Sequence, residues 1–383
     1  MSTIATKKGR RAPDWHVTLR CGGCGSTDQD NSGKCAVCGG LVDAEYPPSV
    51  SALEPGDSDA LETYWDLLPI ARRESCRIAI EPTPTVLLTE LDGVPIWAKV
   101  EGVLPTGSTK DRLIAVSLAL MIERGVEKFV FSSTGNTAAA YAWGLERYPE
   151  LSARVFVSED VAVTKLGPEN RRMEIVRVRG DYVEAQKQAK AATRPDEVSE
   201  GGFFNLGRRE GAKLAYLEAF DDVARAGGQV DTVVQAVASG LGIVAAARAV
   251  AQSSAVTRMG KGPRLFCAQQ TSCAPMVKAY RALENGSNDR LVEAAPEGLA
   301  EAILLGDPFT SFDYVARVVK DSDGNFVDVT SSEIAAALQR HSREVPLGDA
   351  AAVALSSVYR LWEQGDLRGS EGVLVALTGG PGR

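Results

Sequence analysis

The run Gly107-Ser108-Thr109-Lys110-Asp111-Arg112, GSTKDR, decides how this chain of 383 residues is read. Small residues turn the chain and deliver one lysine, Lys110, to the start of the apolar run LIAVSLALMI, which reads as a helix buried between a sheet and solvent. Ser108 and Asp111 stand at capping-box spacing, so the first turn is expected to be fixed there and Lys110 held in place. A lysine at a helix start is by itself an ordinary surface charge. Its surroundings in the sequence change that reading.

Twenty residues on, KFVFSSTGNTAAAYAWGLE runs from an apolar strand ending near Ser132, through the loop Ser133, Thr134, Gly135, Asn136 and Thr137, into an alanine-rich helix. Such a loop aims backbone N–H groups and hydroxyls at whatever lies above the helix start and stabilises a carboxylate or phosphate there. The pattern repeats at VDTVVQAVASGLGIVAAARAVAQ, with a buried strand over 230–238 and a turn through Ser239, Gly240, Leu241 and Gly242. Glycines there let an anion approach the backbone, although such a turn also serves as a plain tight connection. A third strand, GVLVALTGG, ends at Thr378 in a short polar tail.

An ordered lysine, a hydroxyl-and-amide loop, a phosphate-type loop and a strand-end threonine are the parts of a pyridoxal phosphate site. From about Leu67 to Thr378 the chain resembles the tryptophan-synthase-β-like (fold type II) pyridoxal phosphate enzymes, in their threonine synthase and cysteate synthase branch. The stretch EPTPTVLLTELDGVPIWAKVEGVLPTGSTKDR resembles the opening of threonine synthase. GGFFNLGRREGAKLAYLEAF, QAVASGLGI and QQTSCAPMVKAY are more similar to cysteate synthase.

The resemblance implies an α/β fold of two three-layer open-sheet domains: a large one from 61–102 and 221–383, and a smaller moving one inserted at 103–220. It implies that Lys110 carries the cofactor and removes the substrate's α-proton. By the same resemblance Asn136 bonds the cofactor ring oxygen, Ser239, Gly240, Leu241 and Gly242 hold its phosphate, and Thr378 meets the pyridine nitrogen. Ser133, Thr134, Gly135 and Thr137 would bind the substrate carboxylate. The chain departs from the family at Ala238 and Leu241, where relatives commonly carry glycine. Thr109 replaces the usual phenylalanine, and no lysine-containing extension follows TGGPG.

A leaving phosphate has to meet positive charge. Arg208 and Arg209 in NLGRREG are the candidates, with Asn205 beside them as a further substrate-binding residue and Arg112 and Lys165 behind them, because guanidinium pairs bidentately with phosphate or sulfonate. An arginine pair is equally an ordinary solvated helix face. The expected reaction is elimination and replacement on a phosphorylated or otherwise activated hydroxy-amino acid, with a small nucleophile as second substrate. β-Replacement on O-phosphoserine, in the manner of cysteate synthase, is the main reading, and threonine synthase chemistry on O-phosphohomoserine is the alternative. A catalytically silent zinc-ribbon scaffold is the reading from another class; Lys110, Asn136 and Thr378 together speak for the enzyme.

Near the N-terminus Cys21, Cys24, Cys35 and Cys38 form CGGC and CAVC, two knuckles joined by a polar, turn-rich segment. That spacing points to a structural zinc with all four positions filled, a redox pair or disulfides being the alternatives. The chain then divides into a basic tail and ribbon over 1–44 and a linker over 45–60 rich in Pro, Ser and acid. Cys76, Cys267 and Cys273 have no metal spacing and read as buried small hydrophobes. His16 and His341 sit far from every motif, so no histidine triad is available.

A hydrophobic content of 44% suffices for two sizeable cores, and the net charge of −8 argues against a nucleic-acid surface. No apolar run approaches the roughly 18–20 residues of a membrane span, and the basic opening lacks the apolar core of a signal peptide. A cytoplasmic location with reduced cysteines is the expectation, and the resemblance implies a homodimer. The stretch from Asp307 to Glu333 reads as a loop leading into the large domain.

Overall fold

Strands built from unbroken runs of Val, Leu, Ile and Ala are buried on both faces, which suits a parallel sheet covered by helices on each side. The computed structural model describes residues 17–30, 32–47, 59–253, 256 and 262–382. The basic tail, His16 and the larger part of the expected linker lie outside these residues.

Two short strands, β1 (Thr18–Cys21) and β2 (Val42–Glu45), pair antiparallel in the cysteine-rich region. The others are β3 (Thr85–Leu91), β4 (Val94–Val100), β5 (Lys128–Ser132), β6 (Ser152–Ser158), β7 (Met173–Val178), β8 (Val198–Ser199), β9 (Thr232–Ala236), β10 (Arg264–Gln270), β11 (Asn325–Val329) and β12 (Val373–Leu377). They form a six-stranded sheet in the order β11-β10-β9-β12-β4-β3 and a four-stranded sheet in the order β7-β6-β5-β8. Every pairing is parallel except β3 with β4. That hairpin turns at Asp92 and Gly93, both left-handed at φ 49° and 83°, as a tight two-residue turn requires.

The helices in chain order are α1 (Ala60–Thr63), α2 (Lys110–Glu123), α3 (Asn136–Gly144), α4 (Tyr182–Ala191), α5 (Leu206–Arg225), α6 (Leu241–Gln252), α7 (Pro275–Glu284), α8 (Phe312–Asp321), α9 (Ser331–His341) and α10 (Asp349–Gln364). Helix α2 is buried from Asp111 to Met121, on every face rather than one, because α3 and α5 both pack on it. Helix α5 approaches it through glycines: a Cβ on Gly207 would lie 2.6 Å from the Ser117 Cα, and Gly211 faces the Arg112 carbonyl with no room for a side chain.

Two sequence expectations need correction. The capping box at Ser108 and Asp111 does not form: the Asp111 carboxylate turns back to accept from the Thr106 backbone N–H (2.7 Å) and hydroxyl (2.5 Å). A genuine capping box stands instead at Thr330 and Glu333, at the start of α9. The Asp307–Glu333 stretch is likewise no loop, since it contains α8 and β11. Phe312, Val315, Ala316 and Val319, all buried, have the helical spacing that marked it.

Candidate active site

Three of the four segments singled out in the sequence follow strands of the six-stranded sheet and end at one edge of it, while the Ser133 loop follows β5 of the four-stranded sheet. Strand β12 pairs with β4 on one side and β9 on the other, Val375 lying opposite both Ala98 and Val234. Their carboxyl ends therefore lie side by side, where ligands bind in open parallel sheets. Helix α2 is stitched to this edge by its first residues. The Thr109 N–H donates to the Thr378 carbonyl (2.9 Å), Ser108 bridges Gly379, and the Gly380 N–H donates to the Gly107 carbonyl (2.9 Å). Thr378 is thus brought against the lysine-bearing turn from 268 residues away in the chain. Lys110 keeps part of its surface exposed, but burial of the amine, seconded by the nearby Arg208 guanidinium, holds its pKa down at about 8.

The loop from Ser133 to Thr137 caps α3. Gly135 sits at φ 127°, and its α-carbon lies against Lys165, where a Cβ would come within 3.1 Å. The Ser133 hydroxyl accepts from the Gly135 and Ala138 N–H groups at 3.0 and 3.1 Å. Its oxygen therefore shapes the loop, while the first N–H groups of the helix, at Asn136 and Thr137, have no intrahelical acceptor. The Thr134 hydroxyl donates to the Ala302 carbonyl (3.3 Å), and Lys165 pairs with Glu301. These contacts join the small-sheet loops to the segment before α8.

The second loop opens α6. Gly240 is left-handed at φ 78°, and Gly242 lies directly over the Gln235 carboxamide, leaving no space for a Cβ. Gln235 is 7% exposed, and its Oε1 has no partner among the described residues. Leu241 does not crowd this loop: it is 8% exposed and belongs to the main hydrophobic core, so the bulk that departs from the family pattern is directed into the body. A left-handed glycine, a Cβ-free backbone and the unpaired N–H groups of a helix start fit a phosphate. A low-pKa lysine nearby fits the aldehyde that accompanies it.

Of the arginine pair, only one member faces this edge. Consecutive helical residues diverge by roughly 100°, and α5 sends the two guanidinium groups to opposite sides. Arg208 reaches the Thr137 hydroxyl (3.4 Å) and the Glu200 carboxylate (3.3 Å), while its buried Nε has no partner among the described residues. Arg209 is completely buried. It donates to the carbonyls of Phe203 (2.9 Å), Phe204 (2.6 Å) and Val42 and pairs with Asp43, so its expected part in substrate binding does not survive.

Arg112 is also lost as a phosphate partner. It is fully buried between the Glu101 and Glu218 carboxylates, at 2.8 and 2.7 Å, in a cluster that also holds Lys99. Asn205 caps α5, accepting from the Arg208 N–H (3.0 Å) and from the Ser117 hydroxyl (3.1 Å) while donating to the Glu200 carbonyl (2.6 Å). Its role is to set the helix start.

Glu200 and Gln235 escaped the sequence reading. Glu200 is 4% exposed and accepts from the Tyr141 hydroxyl (2.7 Å) and the Gly202 N–H (2.8 Å) as well as Arg208. An isolated acid before a glycine pair was its only trace, and a lone Gln within a strand run was that of Gln235.

Residues 77–379 match the family model described as pyridoxal-phosphate dependent enzyme, most of the chain's length. The chain belongs to that family. Relatives of this pyridoxal-phosphate dependent enzyme include a cysteate synthase from Methanothrix thermoacetophila, 28% identical over 95% of this chain and 90% of that one. A threonine synthase from Halalkalibacterium halodurans is 26% identical over 83% of this chain and 88% of its own. Among solved structures, maize serine racemase superposes with a TM-score of 0.64 at 18% identity, covering 79% of this chain and 89% of that one, which bears on the fold alone.

The enzyme's second centre is the cysteine cluster. The sulfurs of Cys21, Cys24, Cys35 and Cys38 all lie within 4.8 Å of one another. Backbone N–H groups of Gly23, Val37 and Gly40 donate to the Cys21, Cys35 and Cys38 sulfurs at 3.3, 3.4 and 3.4 Å. The Cys38 N–H is the chief reason that the Cys35 thiol falls to about 6. Cys38 is pushed up to about 12, its own Gly40 N–H outweighed by Cys21 and Cys24. Four sulfurs so close cannot all ionise unless a dication joins them, and the donor set fits a tetrahedral structural zinc.

Proposed function

We propose that the chain catalyses replacement of a phosphate leaving group on a three-carbon amino acid, O-phosphoserine, by a small nucleophile such as sulfite. Support comes chiefly from Arg208, a half-paired cation between the Asn136 loop and Lys110. The cysteate synthases among the relatives support it too. When bound, pyridoxal phosphate supplies the electron sink that makes an amino acid's α-proton acidic. Lys110, neutral in part near pH 8, takes that proton as base and returns one at the end. The N–H groups of Thr134, Asn136 and Thr137 receive the substrate carboxylate, and Asn136 would also bond the cofactor ring oxygen. The α6 start through Ser239, Gly240, Leu241 and Gly242 would hold the cofactor phosphate, and the Thr378 hydroxyl would meet the ring nitrogen as a neutral partner. Arg208 receives the departing phosphate.

Carboxylate binding at the Asn136 loop would draw the inserted 103–220 part toward the large one and exclude water. A cytoplasmic homodimer belongs to the same reading, and size-exclusion chromatography with light scattering tests the dimer. The reaction is tested by supplying O-phosphoserine with sulfite and, separately, O-phosphohomoserine, and measuring phosphate release and product mass. Cysteate from the first alone is expected; threonine from the second alone would replace this reading with that of threonine synthase, which the threonine synthases among the relatives favour. Arg208→Gln should lower kcat/KM by roughly 10- to 100-fold, the worth of a charged hydrogen bond.

A further inference from the structure

The cysteine ribbon grips the same helix turn that carries Arg208. The Leu206 N–H, in the first turn of α5, is 3.4 Å from the Ser32 carbonyl of the ribbon. Gly33, left-handed at φ 91°, lies so close to the Phe204 carbonyl and the Leu206 nitrogen that a Cβ has no room. Lys34 stands over the Phe204 ring at 5.5 Å. On the far side of the helix Arg209 ties Phe203 and Phe204 to Val42 and Asp43 of the ribbon. Asp43 is itself held by the Tyr314 hydroxyl (2.8 Å) and by Arg248, which also donates to the Ala44 carbonyl (2.6 Å) and the Glu210 carboxylate (2.6 Å).

On the inner side, Gly207 and Gly211 press α5 onto α2, the helix that begins at Lys110. Residues 204–211 are therefore clamped between the ribbon and α2, and Arg208 is the member of that turn whose side chain leaves the clamp for the Asn136 loop. Among the described residues Glu200 and Thr137 hold its guanidinium, and its buried Nε has no partner.

We propose that the ribbon is a positioning device for the anion site: Gly33 and Arg209, acting through the first turn of α5, set the place of Arg208 relative to Lys110 and Thr137. The inference rests on the reading that Arg208 meets the substrate's anionic group. It assigns the adjacent arginines different duties, Arg208 to the ligand and Arg209 to holding the backbone that aims it. A displacement of the turn by a fraction of an ångström at Gly33 would then be felt at the anion, because positioning errors of about 1 Å at such sites are costly.

The test uses the full-length, cofactor-loaded, zinc-loaded protein with inorganic phosphate as probe. Phosphate affinity is measured by calorimetry for wild type, Gly33→Ala, Arg209→Lys and Arg208→Gln, beside the melting temperature, the zinc content and the pH midpoint of Lys110 reactivity in the cofactor-free form. Gly33→Ala and Arg209→Lys are expected to bind phosphate roughly tenfold more weakly, about the loss of one charge-assisted bond. The Lys110 midpoint should rise as Arg208 withdraws, with full zinc and cofactor content retained. Wild-type phosphate affinity in a folded, zinc-loaded Gly33→Ala or Arg209→Lys overturns the proposal and leaves the ribbon a passive appendage.

Should both variants fail to fold, wild-type protein stripped of zinc by a chelator takes their place, and unchanged phosphate affinity there overturns the proposal equally. If Arg208→Gln alone keeps wild-type affinity, the failure lies in the assignment of Arg208 to the anion. If Arg208→Gln alone loses it, the ribbon's part is what fails.

Discussion

In the proposed reaction Lys110 has to be a nucleophile toward an aldehyde and a base toward a carbon acid, and both tasks need its neutral form. Burial supplies most of the required shift and Arg208 the rest. The neutral fraction increases as pH passes upward through about 8, so in cofactor-free protein the rate of pyridoxal phosphate capture at Lys110 should climb with pH and level off above that point. Arg208→Gln removes the repelling charge and should move the midpoint upward, while desolvation keeps it below the ordinary lysine value. A stopped-flow pH series following cofactor absorbance measures both. Lys110→Ala should leave no residue for borohydride reduction to label and abolish turnover with the melting temperature near that of wild type; peptide mapping that finds label on another lysine would refute its assignment.

At the scale of elements, the crossing of α2 and α5 sets the geometry of the site. Gly211 against the Arg112 carbonyl and Gly207 against Ser117 bring the two helices closer than any side chain would allow. Gly211→Ala should therefore destabilise the protein by about 1–3 kcal/mol, the usual range for overpacking, and denaturant melts will read it. Helix propensity alone runs the other way, since Ala exceeds Gly by about 1 kcal/mol. A stabilised variant would mean that the helices can part without harm. The phosphate-type loop makes a comparable demand: Gly242→Ala has to displace the Gln235 carboxamide, and weaker cofactor retention on dialysis is its expected sign.

For the whole molecule, the ribbon is tied to α5 and α6 by buried charge. Glu210 is held down at about 2: burial alone would raise it, and Arg248 and Lys213 outweigh that. Tyr46 bonds the same carboxylate at 2.7 Å, so the network runs from the chain just after β2 into α5 and α6. Removing one partner from such a group leaves an uncompensated buried charge and is costly. Metal analysis should give one zinc per chain, and chelation should expose the ribbon face of α5 to proteolysis before the rest of the protein unfolds. No helix among the described residues is long and apolar enough to cross a membrane.

Much of this was legible without coordinates. The strand, loop and helix order around Ser133, Ser239 and Thr378 is local information, carried by apolar runs, glycines and the turns they permit. The four cysteines announce their cluster by spacing alone, and Lys110 stands out because a small-residue turn leads straight into a buried helix. What tertiary structure alone decided was the fate of charges. Arg208 and Arg209 are indistinguishable in sequence, yet a rotation of about 100° sends one to the ligand edge and the other to the ribbon. Arg112 looked available until Glu101 and Glu218, eleven and 106 residues away, enclosed it. Glu200 and Gln235 had no local pattern to betray them. A charge acquires its role from its partners and from the water taken away from it, and both depend on which distant segments the fold brings together.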